Sequence, residues 1–204
     1  MARFVDPLVV GRVIGEVVDL FVPSISMTVA YGPKDISNGC LLKPSATAAP
    51  PLVRISGRRN DLYTLIMTDP DAPSPSDPTM REYLHWIVTN IPGGTDASKA
   101  PPAIAWHKLS RRAGRHIAPQ RELAAHCEAA ADGEEVVEYM GPRPPVGIHR
   151  YVLVLFEQKT RVNAEAPGER ANFNTRGFAA AHELGLPTAV VYFNAQKEPA
   201  NRRR

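Results

Sequence analysis

Cysteine is almost missing from this chain of 204 residues, which has only Cys40 and Cys127. No basic-then-apolar leader opens it, because Asp6, Arg12, Glu16 and Asp19 break up the N-terminal apolar residues. Two cysteines without a secretion signal read as free thiols rather than a disulfide framework. No apolar run reaches the roughly 18 residues that a membrane-spanning helix needs. The chain is therefore expected to be soluble and intracellular. A Gly-x-Ser-x-Gly nucleophile turn is absent, and neither cysteine has an obvious catalytic partner in the sequence. No internal repeat is visible. No nucleic-acid recognition element is interleaved with the basic residues, so direct nucleic-acid binding is not expected.

What is present is ordinary for one globular domain: 44% hydrophobic and 22% charged residues. The formal charge is +3 and the isoelectric point about 9.0. The excess is local. Between residues 100 and 132, Lys108, Arg111, Arg112, Arg115 and Arg121 outnumber Glu122, Glu128 and Asp132. Arg202, Arg203 and Arg204 close a basic tail, residues 195–204.

The periodicity is mostly that of strands. Residues 6–21 are the exception: Asp6 is a helix-capping type, Pro7 suits the first turn, and Val9, Val10, Val13, Ile14, Val17, Val18 and Phe21 recur at helical spacing. Strands are expected at 25–31, 52–55, 62–68, 83–89, 135–139, 150–158 and 188–194. A helix is expected at 175–184, capped by Asn174 and stopped at Gly185. Most links are too short for crossover helices. The fold class is thus mainly β, largely antiparallel, with peripheral helices. Residues 100–132 fit none of this, and such a segment inside a compact domain reads as an insertion.

The chemistry gathers at a proline-stiffened loop, Asp69-Pro-Asp-Ala-Pro-Ser-Pro-Ser-Asp-Pro78, between two apolar runs. Asp69 and Asp71 open it, His85 sits inside the next run, and His149 follows the bend Pro144-Pro-Val-Gly147. Three functions suit these four side chains. They could ligate a metal, although the histidines are neither close in sequence nor paired on a helix. They could do acid–base work, although no activated nucleophile accompanies them. Or imidazoles and loop N–H groups could hold an anion while the acids orient the histidines and raise their basicity. The plain alternative is that each acid caps a turn and each histidine is a satisfied core group. The histidines of the odd segment, His107, His116 and His126, with Cys127, are too irregularly spaced for a metal site.

Three motifs resemble the phosphatidylethanolamine-binding protein family when taken together: Thr68-Asp-Pro-Asp-Ala-Pro-Ser-Pro-Ser76, Arg81-Glu-Tyr-Leu-His-Trp86 and Gly147-Ile-His-Arg-Tyr151. Asn172-Phe-Asn-Thr-Arg176, Gly185-Leu-Pro187 and Tyr192-Phe-Asn194 resemble its plant branch of Flowering Locus T and Terminal Flower regulators. The N-terminal stretch, Met140-Gly-Pro-Arg-Pro-Pro-Val-Gly-Ile-His-Arg-Tyr151 and the C-terminal end are most similar to the Mother-of-Flowering-Locus-T class.

The resemblance implies a large central antiparallel sheet, a smaller second sheet and flanking helices. It implies a phosphate or phospholipid head-group cavity lined by Asp69, Asp71, His85, His149 and Tyr151, with Tyr83 at its entrance. No catalytic residue, metal or cofactor is implied. It also implies a monomeric adaptor of cytoplasm and nucleus that pairs with 14-3-3 proteins and, through them, bZIP transcription factors, in seed germination, dormancy and abscisic-acid signalling or in flowering. Pro92 and Arg161 match positions tied to 14-3-3 contact; Asn60 and Lys99 depart from the pattern. Glu165, Glu169 and Ala171 stand where floral promoters carry tyrosine, tryptophan and glutamine, so promoter activity is not implied. A phosphoester hydrolase or phosphotransferase using the Asp/His set, or a kinase or protease inhibitor, are the alternatives. Removing Ala100–Asp132 leaves a continuous family-like sequence, as a retained intron, an alternative splice product or a lineage-specific loop would.

Overall fold

The computed structural model describes residues 5–94 and 133–199. The suspected insertion, with its three histidines, Cys127 and the neighbouring Lys99, lies outside the described residues, as does the end of the basic tail.

Nine strands are described: β1 (Met27–Tyr31), β2 (Lys34–Asp35), β3 (Cys40–Leu42), β4 (Leu52–Ile55), β5 (Leu62–Asp69), β6 (Tyr83–Pro92), β7 (Glu134–Val137), β8 (Ile148–Gln158) and β9 (Ala189–Gln196). They form a six-stranded sheet in the order β3-β9-β8-β5-β6-β7 and a three-stranded sheet β2-β1-β4. Every pairing is antiparallel except β3 with β9. The two-sheet, mainly β expectation is met. Strand β9 reaches Gln196, so the first two residues of the expected tail, Ala195 and Gln196, belong to the sheet, opposite His149 and Ile148.

The long central strands are apolar on both faces because both faces are covered. On one, Tyr63, Leu65, Met67, Leu153, Leu155 and Phe193 meet Met27, Val29, Val53 and Ile55 of the small sheet. On the other, Ile66, Val152, Val154 and Phe156 lie under Leu8, Val13, Val17 and Phe21 from the N-terminus and Ala179 and Leu184 from the C-terminal helix region. Alternate residues along β8 therefore serve opposite cores, as the twofold pleat requires.

The N-terminal helix is shorter than its periodicity predicts. Two short turns form, α1 (Pro7–Val10) and α2 (Val13–Glu16), and within the second Ile14 and Gly15 leave helical geometry. Arg12 has φ 54° and Gly15 φ 103°, both left-handed, so the chain reverses there rather than winding on. Val13, Val17, Val18 and Phe21 are still buried, but Val9 and Val10 are exposed. The third helix, α3 (Thr175–Ala181), is capped by Asn174, whose side chain accepts from the Gly177 N–H at 2.8 Å.

Candidate anion pocket

The site is built at one end of the large sheet, where β5 finishes and β6 and β8 begin. Its placement depends on a β-bulge. Met67 pairs with Trp86 and Thr68 with Leu84, which makes His85 the extra residue on β6. A bulge re-aims side chains that strict alternation would send to opposite faces. His85 is thereby brought to the ring of Tyr151 on β8, with centroids 5.1 Å apart and edge to face. Tyr151 also stacks, at 6.5 Å, with His149. Asp69, Asp71, His85, His149 and Tyr151 thus form one cluster, none more than 4% exposed. Tyr83 is half-buried beside His85, 5.5 Å between ring centres.

The acids are fully engaged. One oxygen of Asp69 accepts from the Asp71 N–H at 2.8 Å, and the other faces His149 Nδ1 at 2.7 Å. Asp71 accepts from the Arg150 backbone N–H, from its Nε at 2.8 Å and from its Nη2 at 2.6 Å. Arg150 also donates to the Gly11 carbonyl at 2.7 Å and to Glu16 at 2.6 Å. One guanidinium therefore ties the Asp-Pro-Asp loop and the N-terminal turns to β8, and its own pKa is raised further by those carboxylates.

The two histidines differ in protonation. His149 has an acceptor at each ring nitrogen: Asp69 at Nδ1 and the Val146 carbonyl at Nε2, 2.9 Å. Only an imidazolium donates twice. Burial disfavours that charge, but the hydrogen bond and charge of Asp69 outweigh it, so the pKa is raised. His85 donates through Nδ1 to the Met140 carbonyl at 2.6 Å. Its pKa is lowered, chiefly by burial, with Arg170 and His149 adding to the effect and Asp69 opposing it. His85 is accordingly neutral, and its Nε2 is an acceptor with no hydrogen-bond partner among the described residues. Burial beside Asp69 also raises the pKa of Tyr151, which stays a phenol.

The sequence reading missed several parts of this frame. The bend 140–146 hangs from both histidines, by Met140 at one end and Val146 at the other. Arg170 donates to the Leu84 and His85 carbonyls behind the bulge, at 3.2 and 3.1 Å. Glu82, buried, accepts from the Thr175 hydroxyl and N–H and so fastens the start of β6 to α3. Arg150 was visible in Gly147-Ile-His-Arg-Tyr151, but a charged residue inside an apolar strand was the only signal of its role.

Pro92 and Arg161 lie at the opposite end of the sheet. Pro92 ends β6 opposite Leu62, and exposed Arg161 is ion-paired with Glu134 at the start of β7. A groove of about 550 Å³ beside α3, floored by Phe156 and Ala179, is separate from the histidine cluster. Among the described residues, no group of three or more His, Cys, Asp or Glu is placed to hold a metal ion, and no helix is long and apolar enough to cross a membrane.

Residues 30–194 match the model of the family described as phosphatidylethanolamine-binding protein. The chain belongs to that family. It is 69% identical, over all of both chains, to Protein MOTHER of FT and TFL1 homolog 2 of Oryza sativa subsp. japonica. It is 44% identical to Protein TERMINAL FLOWER 1 of Arabidopsis thaliana, over 99% of this chain and 97% of that one. Among solved structures, a carboxypeptidase Y inhibitor complexed with its cognate proteinase superposes with a TM-score of 0.72 at 22% identity, covering 95% of this chain and 94% of the other. A phosphatidylethanolamine-binding protein from Plasmodium vivax gives 0.67 at 18% identity, covering 94% and 96%. At those identities the likeness is one of fold. The alignments with these two plant relatives run over 99% or more of this chain.

Proposed function

We propose that this family member is a non-enzymatic signalling adaptor with a phosphate or phospholipid head-group pocket at His85. It acts as a monomer in cytoplasm and nucleus, through 14-3-3 proteins and bZIP transcription factors, on seed germination and dormancy linked to abscisic acid, or on flowering. The observation that carries the reading is the 69% identity, end to end, with the rice MOTHER of FT and TFL1 homolog. The site chemistry supports it. Asp69 and Asp71 are spent on His149 and Arg150, so neither is free to activate a water or a nucleophile. A phosphoester hydrolase would have only His85 Nε2 left to act as a base.

In this reading partners are met at exposed Arg161 and at Pro92, which lie at the end of the sheet opposite His85. The test is capture of a 14-3-3 protein by the full chain and by Arg161→Ala. Capture that falls with the substitution supports the adaptor reading; no capture by either protein removes it. Turnover of a phosphoester, lost in His85→Ala, would favour the enzyme instead.

A further inference from the structure

A concavity stands apart from the histidine cluster, along α3. Its apolar part, about 550 Å³, is floored by Val18, just after α2, with Phe156 of β8 and Ala179 of α3. Leu186 is exposed on its rim. The residues that α3 buries, Thr175 and Ala179, are small, and they leave this space above Phe156 unfilled. A polar part of about 270 Å³ adjoins the groove and is lined by Arg161, Asn163 and His182. Lys159 and Glu183 line both parts and mark where they meet.

Two of the charges around this cleft are already matched. Arg176 lies 2.9 Å from Asp19 and donates to the Gly15 and Val18 carbonyls, at 2.8 and 3.1 Å, which holds α3 to the N-terminal turns. Arg161 is ion-paired through one Nη with Glu134. Lys159 and Glu183 are left, in no ion pair or side-chain hydrogen bond among the described residues. A ligand with its apolar body over Phe156 and Ala179 can bring its polar end to Lys159. Donors outnumber acceptors at that point: the Lys159 ammonium, the Arg161 nitrogens not used on Glu134 and the Asn163 amide stand against the Glu183 carboxylate. An apolar concavity of this size with a few convergent polar groups at one end is the usual form of a small-molecule site.

We propose that this cleft binds a small amphipathic carboxylate, with the apolar body in the groove over Phe156 and the carboxylate on Lys159. The inference goes beyond the function proposed above, and its failure leaves that reading standing, because neither Lys159 nor Glu183 has a part in it. Glu183 makes the ligand class specific. It repels a carboxylate held at Lys159, whereas it would accept from the ammonium group of an amino acid held by the same lysine.

The test uses the full ¹³C-labelled chain and three probes with one apolar body: phenylbutyrate, phenylbutanol and the zwitterion homophenylalanine. The methyl signals of Val18, Ala179 and Leu186 report the groove. Phenylbutyrate is expected to move them saturably, to leave His85 unmoved, and to bind at least about fivefold more tightly than the alcohol. Lys159→Gln is expected to erase that difference, and Glu183→Gln to tighten phenylbutyrate about threefold. Both side chains are exposed, so neither substitution disturbs the core. Groove signals that no probe moves, equal affinity for acid and alcohol, or acid binding unchanged in Lys159→Gln overturns the inference. Homophenylalanine binding more tightly than phenylbutyrate, and losing that advantage in Glu183→Gln, overturns the carboxylate class in favour of an amino acid. Decanoate distinguishes the source once the carboxylate preference holds: tighter binding than phenylbutyrate identifies an acyl chain, weaker binding a compact ring acid.

Discussion

Arg150 and Asp71 are joined three times, through the backbone N–H, Nε and Nη2 of the arginine. This pair decides whether the Asp-Pro-Asp loop is a part of the sheet or an appendage to it. Asp71 in turn donates its N–H to Asp69, which holds His149. The order of the Asp69–His149–His85 cluster therefore begins at Arg150, which also reaches the N-terminal turns.

Arg150→Ala leaves Asp71 buried without its partner and Glu16 without its nearest cation. Breaking a buried pair in this way costs roughly 3–5 kcal/mol. Arg150→Lys keeps the charge but not the fork, and an intermediate loss is expected. Urea unfolding of the three proteins checks both values.

The His149–Asp69 pair makes stability depend on pH. The folded pKa of His149 is raised above its ordinary 6.5, so its contribution is fully present below that value and is lost as pH rises through the folded pKa. His85 has the opposite sign: its pKa is lowered, and its contribution is present above 6.5 and lost as pH falls through the folded value. Asp69→Asn is expected to remove the alkaline part of the dependence and leave the acid part. Denaturant midpoints from pH 5 to 9 separate the two.

Glu82 is buried against Thr175, and desolvation raises its carboxyl pKa despite the threonine hydrogen bonds. Its contribution is present below its ordinary 4.5 and declines as pH rises through the folded value, so at neutral pH the charge costs stability. Glu82→Gln keeps an acceptor for Thr175 without the charge and is expected to be neutral or stabilising at pH 7. Glu82→Ala leaves the Thr175 donors unpaired and is expected to cost about 1–3 kcal/mol. Thermal melts at pH 5 and pH 7 test the contrast.

Removing residues 100–132 is expected to leave the His85–His149 cluster unchanged. The connection between β6 and β7 leaves the described chain at Gly94 and returns at Gly133, beside Ile91. His85 lies at the other end of β6, about 20 Å away at some 3.3 Å per residue. The imidazole resonances of His85 and His149 should coincide in the two proteins, and stability should differ by only about 1–2 kcal/mol from loop closure. Displaced histidine signals in the shortened chain would show that the two ends communicate.

Most of the strands were legible because apolar runs bounded by proline and glycine leave few other readings, and strand 52–55 matches residue for residue. The N-terminal helix was misread because valines at helical spacing also suit a chain that turns at Arg12 and Gly15; left-handed φ values have no periodic signature. In the buried cluster, the identities of Asp69, Asp71, His85 and His149 could be read from the motifs, but their bonds could not. A bulge at His85 is invisible to alternation. Hydrogen bonds to the Met140 and Val146 carbonyls use backbone atoms, which every residue offers equally. Which imidazole is charged therefore emerges only from three-dimensional neighbours.

The antiparallel pairing of β6 with β7 holds Thr89 opposite Glu134, with the two exits of the hairpin side by side. A scaffold of this shape offers a socket: sequence spliced between Gly94 and Gly133 would join the large sheet at the end of β6 remote from His85. A circularly permuted fluorescent protein spliced there would test the proposed partner binding at Arg161 without touching the histidines.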